Sequence, residues 1–451
     1  MPDPILERIT ASLKGLRADH PLGHVIGVAG DRVQVKGFGM QAALGDRVVF
    51  LGHEGLRAEV VKLDNDSAYL LPEGSAEGVC VNDPVYLERR RGFAPDSSWI
   101  GRVIDPDGRP LDGRPLLPGL TARRVRADPP LPHRRRAMGE RLATGLAVFN
   151  TVLPLARGQR IGLFAGSGVG KSTLLADLAR GVEADVIVIA LVGERGRELR
   201  EFVEDVLGPE GMQRSVVIAA TSDRAPQIRK RCALAATAVA EHFRDAGQQV
   251  LLLVDSVTRF AEAHRELAVA GGEPAALRGY PASTGPTIAA LCERAGPGTS
   301  EGGDITAIYS VLVAGSDMEE PVADMLRGVL DGHVVLDRSI AERGRFPAID
   351  LLRSVSRSLP GVANAGENTL IQNARAHLGK YDRSELMIQA GLYVAGSDPA
   401  TDAAVACYPD LDRFLTLRHP SPGASFAALR QALPGATDDA MAQRSGAPLV
   451  E

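Results

Sequence analysis

The stretch Arg160-Ile161-Gly162-Leu163-Phe164-Ala165-Gly166-Ser167-Gly168-Val169-Gly170-Lys171-Ser172-Thr173 organises the whole chain. A strand-like apolar run ends at Phe164. Glycines follow at 166, 168 and 170, and Lys171 opens a run with helical spacing. Glycines let successive backbone N–H groups turn inward and approach phosphate oxygens closely. A helix N-terminus adds the positive end of its dipole. In this setting Lys171 is placed to reach the β- and γ-phosphates, and Ser172 to ligate Mg²⁺. The stretch therefore reads as a P-loop that binds Mg-ATP. Ala165 stands where the strict pattern has its first glycine; that position is the turn entry, where a small residue is tolerated.

Outward from this loop, residues 158–344 alternate apolar β-branched runs with helical stretches. The clearest strands are 160–164, 185–190, 216–219, 249–254 and 306–312. Near-continuous apolar strands are buried on both faces, which predicts a mainly parallel sheet wrapped by helices. One strand ends Leu251-Leu252-Leu253-Val254-Asp255. An acid at such a strand end, paired with a P-loop, fits a carboxylate that holds Mg²⁺. Glu194 follows another strand within Val192-Gly193-Glu194-Arg195, at the end where ligands of parallel sheets sit. Hydrolysis needs a group to orient and polarise the attacking water. Glu194 is a candidate for that task, or else the partner of Arg195 or Arg197 in a surface ion pair. By spacing alone, Arg357 in Arg353-Ser354-Val355-Ser356-Arg357 is one arginine among many.

The flanks differ from this core. Residues 4–17 place Ile5, Leu6, Ile9, Leu13 and Leu16 on one helical face, either packed on the body or offered to a partner. Residues 23–92 hold short β-branched runs such as 33–35, 47–51 and 58–61, separated by Gly/Asp turns, which predicts a small β-barrel. Residues 105–119 and 128–132 are rich in Pro, Gly or Asp and read as linkers. Arginines cluster at 123–126 and 134–136; such short charge runs read as solvated linker, the alternative being a contact for an acidic partner or membrane. From 364 onward the helical period returns, for example at 386–393 and 411–417. The stretch 434–451 is small and polar and reads as disordered. The expected layout is an N-terminal helix (1–22), a β-barrel domain (23–92), an ATPase domain (93–363) and a helical C-terminal domain (364–451).

Composition narrows the function classes. The 451 residues carry a formal net charge of −5, without the basic excess of a wholesale nucleic-acid binder. Cys80, Cys232, Cys292 and Cys407 are far apart and form no CxxC pair, which fits a reducing cytosol rather than a disulfide or metal framework. No apolar run approaches the ~18 residues of a membrane span, and 1–22 lacks the apolar centre of a signal peptide.

Several strings coincide with one superfamily. Residues 347–357 (Pro-Ala-Ile-Asp-Leu-Leu-Arg-Ser-Val-Ser-Arg), Gly193-Glu194-Arg195 and residues 101–113 resemble the rotary ATP synthase α/β subunit superfamily, as does the three-part layout. Within it the chain is most similar to the flagellum-specific type III export ATPases. The strings 145–150, 160–170, 221–226, 263–266, 278–281 and 391–399 carry that likeness, and Ala165 is itself a family mark. The acidic helix–turn–helix tip of rotary β subunits is absent from 381–398.

This resemblance implies an α/β P-loop NTPase core of RecA-like type, with an N-terminal β-barrel and a small helical C-terminal domain. It implies binding of ATP and Mg²⁺ through Gly166, Ser167, Gly168, Val169, Gly170, Lys171, Ser172 and Thr173, with Asp255 as the second metal-side ligand. Glu194 becomes the general base, with Arg195 beside it and Arg259 near the γ-phosphate. Arg357 becomes an arginine finger supplied across a subunit interface, and Phe346 stacks on adenine. One sequence carrying all these parts implies a homohexamer of equivalent sites. The implied role is a motor for flagellar protein export, cytoplasmic and peripheral at the inner membrane. The implied partners are a stator-like regulatory protein at the N-terminal helix, export chaperones and substrates, and the membrane export gate, with no nucleic acid. The alternatives are an injectisome ATPase, an ATP synthase subunit and a Rho-like RNA-dependent ATPase. Against the last, the barrel stretch has few aromatics for base stacking.

Overall fold

The computed structural model describes residues 20–38, 41–88, 93–313 and 318–433, together with Thr10. The expected N-terminal helix at 4–17 and the tail at 434–451 lie outside the described residues.

Six short strands build the N-terminal unit: β1 (Leu22–Ala29), β2 (Arg32–Lys36), β3 (Arg47–Phe50), β4 (Arg57–Leu63), β5 (Ser67–Pro72) and β6 (Pro84–Glu88). They close into an antiparallel barrel of order β1-β2-β5-β4-β3-β6, which leaves no open edge. Every second side chain points inward, and Val33, Val35, Val48, Phe50, Val60, Leu70, Val85 and Leu87 fill the interior. Gly30 takes φ 58 in the β1–β2 turn, a left-handed value that suits glycine.

The central sheet has eight strands: β7 (Arg102–Ile104), β8 (Arg160–Ala165), β9 (Val186–Glu194), β10 (Ser215–Thr221), β11 (Val250–Asp255), β12 (Ile305–Leu312), β13 (Gly332–Leu336) and β14 (Ile349–Ser356). Their order is β14-β13-β8-β12-β11-β9-β10-β7. Neighbours run parallel except the outermost pair, β13–β14. The five strands expected from apolar runs are all present. β7, β13 and β14 are additions, being short or lying on the sheet's margins where polar residues interrupt the run. β7 belongs to the stretch that leads into the expected linker, and it pairs with β10 at the edge.

Helices cover both faces. They include α1 (Lys171–Gly181), α2 (Pro226–Asp245), α3 (Val257–Ala270), α4 (Thr284–Glu293) and α5 (Pro321–Val329). Two apolar cores result, one around Val188, Phe243 and Leu252, the other around Leu163, Leu178 and Leu253. The second runs on into the C-terminal helices α6 (Ala365–Gln389), α7 (Pro399–Phe414) and α8 (Pro422–Gln431) through Ile371, Leu411 and Leu429. Asn364 and Glu367 form a capping box that starts α6. The helix expected at 386–393 stops at Gln389, and Gly391 takes a left-handed φ of 69.

The arginine runs are not a free solvated linker. Arg123 pairs with Asp245, Arg126 with Glu59 of the barrel at 2.9 Å, and Arg136 with Asp304 at 2.8 Å. Arg135 donates to the carbonyl oxygens of Glu293 and Ala295. The stretch thus straps the barrel to the core through carboxylates and carbonyls far away in sequence.

Candidate active site

The P-loop emerges from the carboxyl end of β8 at the middle of the sheet, the usual place for a ligand of a parallel sheet. Gly168 and Gly170 have φ of 76 and 84, so both need glycine. Nothing lies within 4 Å of a Cβ built on Gly168, which leaves that part of the loop open. Gly170 caps α1 without any side-chain cap, and the first turn contains no acid. The helix thus presents bare N–H groups and an uncompensated positive dipole end, the setting of an anion site. Ser172 and Thr173 are exposed on that first turn, and Val169 is buried beneath the loop.

Lys171 forms an ion pair with Asp255 at the end of β11, two strands away. Asp255 is buried and also accepts a hydrogen bond from Ser310 of β12 at 2.6 Å. A serine set next to the apolar run Val311-Leu312 was the available sign that this residue faces a polar partner. Glu194 ends β9, beside β11. Burial, then the negative charge of Asp255, push its carboxyl up to about 7; Lys171 opposes this, and hydrogen bonding and charge from Glu198 add to the rise. The surface ion pair with Arg195 or Arg197 is not formed among the described residues. Arg195 is exposed and leans toward Glu198 at 3.8 Å.

Arg259 lies in the first turn of α3, where its N–H donates to the cap Ser256 and its guanidinium to Glu262 at 3.0 Å. Its stem fills the space a side chain at Gly193 would take: a Cβ there would stand 3.3 Å from Arg259 Cβ. Phe346 is half-exposed and lies over Gly170, 3.2 Å from where a Cβ would stand. The adjacent Arg345 holds this segment, donating to Ile349 O at 2.9 Å and pairing with Asp412 of α7 at 3.0 Å.

Arg357 is not in this cluster. Ile349 of β14 is level with Leu336 of β13, and Leu336 with Ala165, whereas Ser356 pairs with Gly332 at the other end. Arg357 donates its backbone N–H to Asp331, whose own N–H bonds to Arg160 at the start of β8. It is exposed, with its guanidinium on Arg327 O at 3.3 Å. At about 3.3 Å per residue, the length of β8 puts Arg357 roughly 17 Å from the P-loop along the strand direction.

Residues 145–356 match the nucleotide-binding domain of the ATP synthase alpha/beta family, and residues 363–433 match the C-terminal domain of the type III secretion ATPase EscN. The chain is 42% identical to a flagellum-specific ATP synthase of Agrobacterium fabrum, over 96% of this chain and 93% of that one. The chain belongs to the family of type III export ATPases. Other members include a flagellum-specific ATP synthase of Caulobacter vibrioides, 43% identical over 87% of this chain and 91% of that one. A type 3 secretion system ATPase of Xanthomonas euvesicatoria is 41% identical over 89% of this chain and 91% of that one. The assembled EscN from the type III secretion system of enteropathogenic E. coli superposes with a TM-score of 0.83 at 35% identity, covering 91% of this chain and 99% of that chain. This export ATPase has the N-terminal barrel, here of six strands, the mainly parallel sheet and the C-terminal helices expected of it. Family membership makes it an ATP-binding, ATP-hydrolysing enzyme.

Proposed function

We propose that the chain hydrolyses Mg-ATP as a homohexamer that energises flagellar protein export, each site being completed by Arg357 of a neighbouring subunit. The observation that carries this reading is the convergence of Lys171, Asp255 and Glu194 at one strand end while Arg357 stands at the other. EscN has been described assembled and in complex with its central stalk EscO. By analogy this chain forms a ring and takes a stalk-like or regulatory partner.

The donors present suit the metal. Ser172 and Asp255 offer hard oxygen ligands, and no group of three or more His, Cys, Asp or Glu among the described residues competes for a cation. When bound, Mg²⁺ neutralises charge on the β- and γ-phosphate oxygens. Lys171 exchanges its partner Asp255 for phosphate as ATP arrives, and Asp255 is freed toward the metal side. The P-loop N–H groups hold the phosphates, and Phe346 offers a face to adenine. Glu194, once ionised, accepts a proton from the lytic water as the new P–O bond forms and ADP leaves with the bridging oxygen. Arg259 stands beside Glu194 as a fixed positive charge. Arg357 from the next subunit neutralises charge developing on the γ-phosphoryl group. No helix among the described residues is long and apolar enough to cross a membrane.

The test is complementation in mixed rings. Lys171→Ala and Arg357→Ala proteins are each inactive alone. Mixed in equal parts, they regain activity, because about a quarter of sites then join an intact Lys171 to an intact Arg357 of the neighbour. Mixtures that stay as inactive as either parent refute the shared site. The injectisome alternative shares this chemistry and predicts that deleting the gene leaves motility intact.

A further inference from the structure

A cavity of about 580 Å³ lies where the barrel, the 105–126 segment and α2 meet, away from the P-loop. Eight arginines and lysines line it, against three carboxylates. Each carboxylate is already committed: Glu59 to Arg126 at 2.9 Å, Glu88 to Arg57 at 3.6 Å, and Asp107 to Arg47 and Arg231 at 2.8 and 3.1 Å. Arg123 is held by Asp245. Arg109, Arg124 and Lys230 have no carboxylate within ion-pairing distance among the described residues. Lys230 donates only to His264 Nδ1, at 2.9 Å. Burial, with Arg126 nearby, lowers the Lys230 ammonium to about 8 and so weakens its charge.

Two of the lining residues also carry buried polar atoms without a partner. Arg47 is 8% exposed, and its Nε has no acceptor. Gln227 is 2% exposed; its Nε2 donates to Leu71 O and Pro72 O, which fixes the amide and leaves Oε1 without a donor. Buried donors and acceptors left in this state cost free energy unless water or a ligand meets them. Tyr86 and Phe93 add aromatic surface to the wall. The volume is within the range of small-molecule sites and far too small for a folded partner.

We propose that this cavity binds a small phosphate-bearing anion, held by Lys230, Arg109 and Arg124. Guanidinium forks and a lysine ammonium are the donors that suit phosphate oxygens. Because the site joins barrel, linker and α2, a bound anion locks these three together.

Inorganic pyrophosphate is the probe, titrated calorimetrically into the full chain carrying Lys171→Ala, which cripples phosphate binding at the P-loop. One equivalent binds. Adding Arg109→Ala and Arg124→Ala weakens that binding at least tenfold, and adding Lys230→Gln does so independently. The two arginines are exposed, so their replacement leaves the fold intact. Absence of binding to the Lys171→Ala protein, or binding unchanged by the arginine replacements, overturns the proposal. Co-sedimentation with phosphatidylglycerol vesicles that depends on Arg109 and Arg124, with no binding of pyrophosphate, also overturns it and assigns these cations to a lipid headgroup.

Discussion

Arg357 and Lys171 stand at opposite ends of the same sheet, Arg357 level with the start of β8 and Lys171 just beyond its end. An arginine so placed cannot serve its own P-loop. Its exposed position after the outermost strand is open to the role at a neighbour's site proposed above. Arg357→Ala should therefore lower ATP turnover by roughly 10³-fold or more, the usual scale for an arginine finger. ATP affinity of the isolated subunit should stay within about twofold, since an isolated chain lacks the neighbour's arginine in any case. A nucleotide titration beside a turnover assay checks both; equal losses in the two would place Arg357 in its own site.

The raised carboxyl of Glu194 gives a pH dependence with a defined sign. Burial and the charges of Asp255 and Glu198 favour its protonated form, with a midpoint of about 7. In its proposed role as general base Glu194 must be ionised, so kcat/KM should rise through pH 7 and flatten above it. Glu198→Gln removes one of the raising charges and should move the midpoint down. The fold favours the protonated carboxyl, so this group's contribution to stability is lost as pH rises from the ordinary carboxylate range through about 7. A midpoint that stays in place in Glu198→Gln would separate these two residues.

Two loop glycines should respond differently to alanine. Gly168→Ala meets open space and incurs only the strain of a positive φ, about 1–2 kcal/mol. Gly170→Ala bears the same strain and also presses on Phe346 at 3.2 Å. Gly170→Ala should thus weaken adenine nucleotide binding more, and adding Phe346→Ala should restore the stability lost to the contact. Thermal unfolding of the three variants decides the matter.

Arg294 and Glu241 form a buried bidentate pair at 2.7 and 2.8 Å under the linker, well away from the P-loop. Arg294→Met leaves a carboxylate stranded and should cost about 3–5 kcal/mol. Arg294→Met with Glu241→Leu should recover most of that. Denaturant midpoints measure both, and a double variant no better than the single would show that the pair is not the unit of stability.

The chemistry of this chain was legible where it is local. Gly166, Gly168, Gly170 and Lys171 announce a phosphate loop because glycine freedom and a helix start act over a few residues. The five apolar runs announce buried parallel strands because burial on both faces removes alternation. Asp255 and Glu194 were readable as strand-end acids, though the raised carboxyl of Glu194 was not. That rise depends on Asp255 and Glu198 being brought close by strand pairing.

Relations across the chain needed the tertiary structure. The Lys171–Asp255 pair spans 84 positions, and Ser310 joins it from a third strand. The arginine runs looked solvated because short charge runs usually are, yet Glu59, Asp245 and Asp304 arrive from the barrel and core to bind them. β7, with three residues, is too short for any periodicity to show. By itself, then, the sequence determined which groups can hold a triphosphate, since backbone freedom and residue type are carried by neighbours in the chain. Only the folded sheet decided where Arg357 stands relative to that triphosphate, because strand order and register are set by packing between segments far apart in sequence.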